Sequence, residues 1–155
     1  MSVTSPEPAT LTFLRKFLLA SLAVGVLGTL GELALLGHIE SLTQWIPVAA
    51  LAATIPILLW HTAAPRRLTV RLLQLSMVLF VLSGVVGVGL HYDGNAEFEQ
   101  ELHPDDTGLT FLTHVAAGAT PVLAPGSMVL LGLVGIAHTY RHPAAAGAGR
   151  QETVL

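Results

Sequence analysis

The chain contains no cysteine. Disulfides, covalently attached c-type haem, iron–sulfur clusters and thiolate zinc sites are therefore excluded. Charge is scarce as well. Asp, Glu, Lys and Arg make up 11% of 155 residues, whereas a soluble domain carries roughly 25%. The sequence has no GxSxG nucleophile turn, no phosphate-binding loop, no HExxH pair and no basic, aromatic-interleaved surface for nucleic acid. These absences argue against the common hydrolase and nucleic-acid-binding classes, and a non-catalytic protein is expected.

What fills the chain instead is hydrocarbon. Hydrophobic residues account for 52% of it and the mean hydropathy is +0.68. Phe17–Leu36 is a run of 20 residues with a single charge, Glu32. A helix needs about 20 such residues to cross ~30 Å of bilayer core. Arg15 and Lys16 precede this run, which is longer than the ~7–15-residue core of a signal peptide, so it reads as a retained first span. A second span is predicted over 44–61, with Pro47 in its first turn and Pro56 inside it. A third covers 72–90 and a fourth 122–140, its entry irregular at Pro121, Pro125 and Gly126. The predicted fold is all-α: one antiparallel four-span membrane domain, residues 1–142, followed by a disordered tail, 143–155. Residues up to Thr10 are expected to form a loose N-terminal tail.

Charge sets the orientation. All seven basic residues, Arg15, Lys16, Arg66, Arg67, Arg71, Arg141 and Arg150, fall on one predicted side. Basic residues in short loops stay cytoplasmic, so both termini are expected inside a plasma (inner) membrane. Trp45, Trp60, Tyr92 and Tyr140 each fall at a predicted span end, where such rings favour the headgroup layer. Small residues at four-residue spacing, Ser21/Gly25, Ala49/Ala53 and Ser83/Gly87, together with Gly132 and Gly135, supply the close approach that helices need in lipid. The same stripes would serve a homodimer or a partner membrane protein.

Residues 91–120 form the predicted outer cap. His91–Asp106 holds two histidines, six carboxylates and no Lys or Arg. Phe98 and Leu102, four apart, suggest a short amphipathic helix starting near Asn95. Leu109, Leu112 and Ala116 suggest a second over 108–118.

Three kinds of chemistry are legible. On a helix Glu97 and Glu101 share one face, and Glu99 and His103 another. Histidine with carboxylates suits zinc, copper(II), iron or manganese, and His91, His38, Glu40 and His114 could join from neighbouring elements. Second, His38 and His91 at the outer span ends, and His61 and His138 at the inner ones, could hold b-type haems by paired imidazoles. That would make the protein an electron carrier. Third, Glu32 is a carboxylate about 8 Å from the midplane of its predicted span, which could serve as the proton or cation relay of a dimeric proton-coupled small-molecule transporter. The expectation that ranks first is an accessory or assembly subunit whose cap contacts a partner or binds a transition metal. The end Thr153-Val154-Leu155 resembles ligands of strand-adding PDZ grooves.

Overall fold

A computed structural model describes residues 9–37, 39–118 and 120–146. Of these residues 83% are helical, with no strand among them. The elements are α1 (Ala9–Leu35), α2 (Leu42–Ala63), α3 (Arg67–Leu102), α4 (Gly108–Ala117), α5 (Gly126–Thr139) and α6 (Pro143–Ala146). α1, α2 and α3 are long and apolar enough to cross a membrane, with mean hydropathies of 1.9, 1.7 and 2.1 over their best windows.

Each boundary has a local cause. Gly37, at φ +63, takes the left-handed conformation that stops α1. Ser41 opens α2 with a capping box: its hydroxyl accepts from the Gln44 amide, and the Gln44 side chain accepts from the Ser41 amide. At the start of α3 the Thr69 hydroxyl accepts from the Arg66 amide at 3.0 Å and donates to the Arg66 carbonyl at 2.9 Å. Pro56 lies within an unbroken α2, and Pro47 falls in its second turn, the helix having begun at Leu42.

The acidic segment departs most from expectation. No separate helix starts near Asn95. α3 runs 36 residues from Arg67 through Leu102, about 54 Å at ~1.5 Å per residue. Gly94 alone does not break it, because Ala96, Glu97, Glu99, Gln100, Glu101 and Leu102 are good helix formers. The helix ends at His103, whose φ −132 and ψ 69 lie outside the helical region, which the following Pro104 disfavours. α4 forms close to its expected place but turns differently. Val115 is its buried residue, while Leu109, Leu112 and Ala116 face outward. The last long element is also shorter than the expected 122–140. Regular helix covers 14 residues, and residues 121–125 are drawn into tighter turns by bonds from Ala124 to Pro121, Gly126 to Leu123 and Met128 to Pro125. At the two ends, helix begins at Ala9 inside the expected loose tail, and Pro143–Ala146 forms a helical turn packed on α3 where disorder was expected. The remainder of that tail, with Thr153-Val154-Leu155, lies outside the described residues.

α1 packs against α2 and α5, and α3 against α2 and α5, so the four close a ring. Leu22, Val26, Leu51, Leu58, Leu73, Met77, Phe80, Met128 and Leu131 form the core. The α3–α5 seam depends on glycine. A Cβ on Gly84 would lie 2.8 Å from the Pro125 carbonyl, and one on Gly132 would lie 2.7 Å from that of Met77. Outward, the helices present Val24, Leu35, Leu75, Leu82, Val85 and Leu130. That surface is the reverse of a water-soluble one, where charges cover the outside.

The ring has two chemically different ends. Arg15, Lys16, Arg66, Arg67, Arg71 and Arg141 gather where α2 passes to α3 and α5 stops. The carboxylates of α3 and the segment after it occupy the other end.

Candidate functional site

Each end carries one cluster whose side chains converge. At the acidic end the last turns of α3 bring Glu99 and His103 onto one face, with His103 Nδ1 donating to Glu99 Oε2 at 3.1 Å. α4 supplies His114, whose Nδ1 donates to Asp106 Oδ2 at 2.7 Å. The rings of His103 and His114 are 5.4 Å apart. Ligand atoms of Glu99, His103 and His114 all lie within 4.8 Å of one another. The Glu99 side chain is 11% exposed, while those of His103 and His114 are 52% and 46% exposed. One carboxylate and two imidazoles with an open side form a ligand set suited to a divalent transition ion. Asp106 holds the His114 ring by its far nitrogen, as carboxylates outside metal sites commonly do.

Asn95 fixes the geometry of this head. It is 2% exposed and sits within α3, not at a helix start. Its amide nitrogen donates to the carbonyls of Val115 at 2.9 Å and Thr120 at 2.7 Å. Its oxygen accepts from the Thr120 amide at 3.2 Å and hydroxyl at 2.7 Å. These four bonds tie the far end of α4 to α3, and so hold His114 over Glu99 and His103. Next to them, His91 Nδ1 donates to the Pro121 carbonyl at 3.1 Å.

At the basic end His61 of α2 and His138 of α5 are 1% and 2% exposed. Their Nε2 atoms are 3.1 Å apart and their rings meet edge to face. The His142 ring lies 5.1 Å from that of His61 and 5.4 Å from that of His138. Ligand atoms of the three histidines also fall within 4.8 Å. A cavity of about 420 Å³ opens beside them, lined by Thr12, Arg15 and Lys16 among others.

The residues expected from sequence divide as follows. Glu99 and His103 converge, joined by His114. Glu97 and Glu101 are exposed and outside the cluster. His91 lies two helical turns before Glu99, about 12 Å along the axis, and bonds Pro121 instead. Glu40 is exposed beside the α2 cap. His38 lies outside the described residues. Glu32 is exposed on α1, three residues from its end and about 15 Å from the helix midpoint at Leu22. His61 and His138 do meet, but in contact. Two imidazoles on opposite faces of an iron need about 4 Å between nitrogens, twice a ~2.0 Å metal–nitrogen bond, with a macrocycle between them. A gap of 3.1 Å is too short to hold a haem iron between the two nitrogens. His142 was missed, although His138-x3-His142 is a recognised ligand spacing.

Compared with protein-family models, curated proteins and solved structures, the chain matches none.

Proposed function

We propose that the chain is a four-span membrane protein with a cytoplasmic basic end, and that its head on the opposite face binds a divalent transition-metal ion through Glu99, His103 and His114. The convergence of those three side chains, with His114 oriented by Asp106, carries the reading.

Several features support the span count. α1–α3 are long and apolar enough to cross. The fourth span is α5 with its entry. Fourteen α-helical residues give about 21 Å, and five residues in tighter turns at ~2.0 Å each add about 10 Å, close to the ~30 Å required. Trp45, Trp60, Tyr92 and Tyr140 are all exposed, as rings in contact with headgroups would be. α3 exceeds the bilayer core by about 24 Å, enough to carry Glu99 and His103 into water.

The protein would act as an accessory or assembly subunit of the plasma (inner) membrane. Its head would present the ion, with two half-exposed imidazoles, to a partner. In detergent, Zn(II) titration against a chromophoric chelator should give an outer-site affinity that weakens as pH falls, because the ion displaces protons from the imidazoles. His114→Ala should weaken it at least tenfold and Asp106→Asn roughly 10- to 100-fold. Identical affinities in wild type, His114→Ala and Glu99→Gln would refute the site.

A further inference from the structure

We infer that His61, His138 and His142 form a second transition-metal site at the basic end, built to hold a cation between imidazole Nε2 atoms. This cluster shares no residue with the acidic head.

The partners of the two Nδ1 atoms place the ring protons. His138 Nδ1 lies 3.0 Å from the backbone carbonyl of Arg15. A carbonyl only accepts, so this nitrogen carries the proton. His61 Nδ1 lies 3.0 Å from the Thr69 hydroxyl. That hydroxyl has one proton, which it gives to the Arg66 carbonyl while receiving the Arg66 amide. Its remaining capacity is to accept, so His61 Nδ1 is a donor too. A neutral imidazole has a single N–H. Both Nε2 atoms therefore direct lone pairs at each other across 3.1 Å. Two lone pairs at that separation repel unless something positive lies between or beside them.

A shared proton would also satisfy the pair, but it would leave an imidazolium buried in a site that Arg15 and Lys16 also line. A metal ion satisfies it and explains two further observations. Nδ1 bound outward to a carbonyl or hydroxyl, with Nε2 free, is the orientation of metal-ligating histidine. A third histidine is also delivered at a cost. Arg141 adopts φ +45, a conformation unfavourable for a non-glycine residue. The turn it makes brings the chain back so that the His142 ring reaches the other two. Arg15 grips this turn through the carbonyls of His138, Tyr140 and Arg141.

Tetrahedral coordination with ~2.0 Å bonds puts ligand nitrogens about 3.3 Å apart. His61 and His138 already stand close to that spacing. His142 must close inward and give up its 3.2 Å bond from the Ala144 amide if it ligates through Nδ1. Three imidazoles favour zinc or copper. The cavity beside the three histidines leaves room for a further ligand from solvent.

The test uses the full-length protein in detergent, carrying Glu99→Gln and His114→Ala to remove the acidic-end site. Zn(II) and Cu(I) are each titrated against a competing chelator. One ion per chain is expected for at least one metal, and X-ray absorption should show three imidazole nitrogens at about 2.0 Å. Adding His142→Ala, at the end of the described chain, should weaken retention at least tenfold with an unchanged helical circular dichroism spectrum. Retention of neither metal, or an absorption spectrum without imidazole ligands, would overturn the proposal. So would nitrogen-15 imidazole spectra showing a proton shared between His61 and His138 in protein exposed to both metals.

Discussion

Replacing Asn95 with alanine should detach α4 without unfolding the helices beneath it. Asn95 makes four hydrogen bonds to the segment that follows α4 and to its last turn. A buried neutral bond contributes about 1 kcal/mol net, which sets an upper bound near 4 kcal/mol. Thr120 is exposed, so its freed groups regain water and the loss falls to about 2–3 kcal/mol. Little else anchors α4. It has ten residues and buries only Val115, and helices below ~12–15 residues are marginal on their own. The population of detached α4 should thus rise roughly 30- to 150-fold, at a factor of ten per ~1.4 kcal/mol. Hydrogen exchange of residues 109–117 in nanodiscs reads this directly. Their protection should fall by that factor in Asn95→Ala while amides of 70–84 keep theirs. Zn(II) affinity at the acidic head should drop in parallel, because His114 departs with α4. Unchanged protection over 109–117 would show that the Asn95 bonds do not hold the head together. Equal loss over 70–84 would show that the head and the bundle are one cooperative unit.

The glycine seam makes a second, paired prediction. Gly84→Ala should destabilise the protein by about 1–3 kcal/mol, since the added methyl meets backbone of α5. Gly31→Ala, with nothing within 4 Å of its Cβ, should be neutral or slightly stabilising; thermal melts in detergent compare the two. For topology, single cysteines introduced into this cysteine-free chain at Arg67 and Glu101 should differ in intact cells. An impermeant maleimide should label the second alone, and labelling of the first would reverse the orientation.

How much of this could be read without coordinates differs by scale. Apolar runs located the three long helices, because crossing hydrocarbon is a requirement on composition and length that each segment meets by itself. The limits of those runs were less legible, since helix continues past the apolar stretch until something stops it. In α3 the stop is Pro104, fourteen residues beyond the last of the expected span, and Asn95 therefore lies within the helix instead of capping a new one. The i, i+4 pair Glu99 and His103 was readable as a shared face. His114 and Asp106 came to it only through the turn after Pro104 and the Asn95 latch.

Taken alone, the amino-acid order determined that the protein is helical, where its apolar segments lie, and that its cations and carboxylates are segregated along the chain. Tertiary packing decided which polar side chains meet. His61 and His138 are 77 positions apart, and their nitrogens touch because α2 and α5 end at the same level of the ring. His142 joins them because one strained residue reverses the chain. Hydropathy and periodicity act over a few turns of a single helix, whereas ligand geometry depends on the relative height and rotation of several, which close packing of side chains and glycines sets.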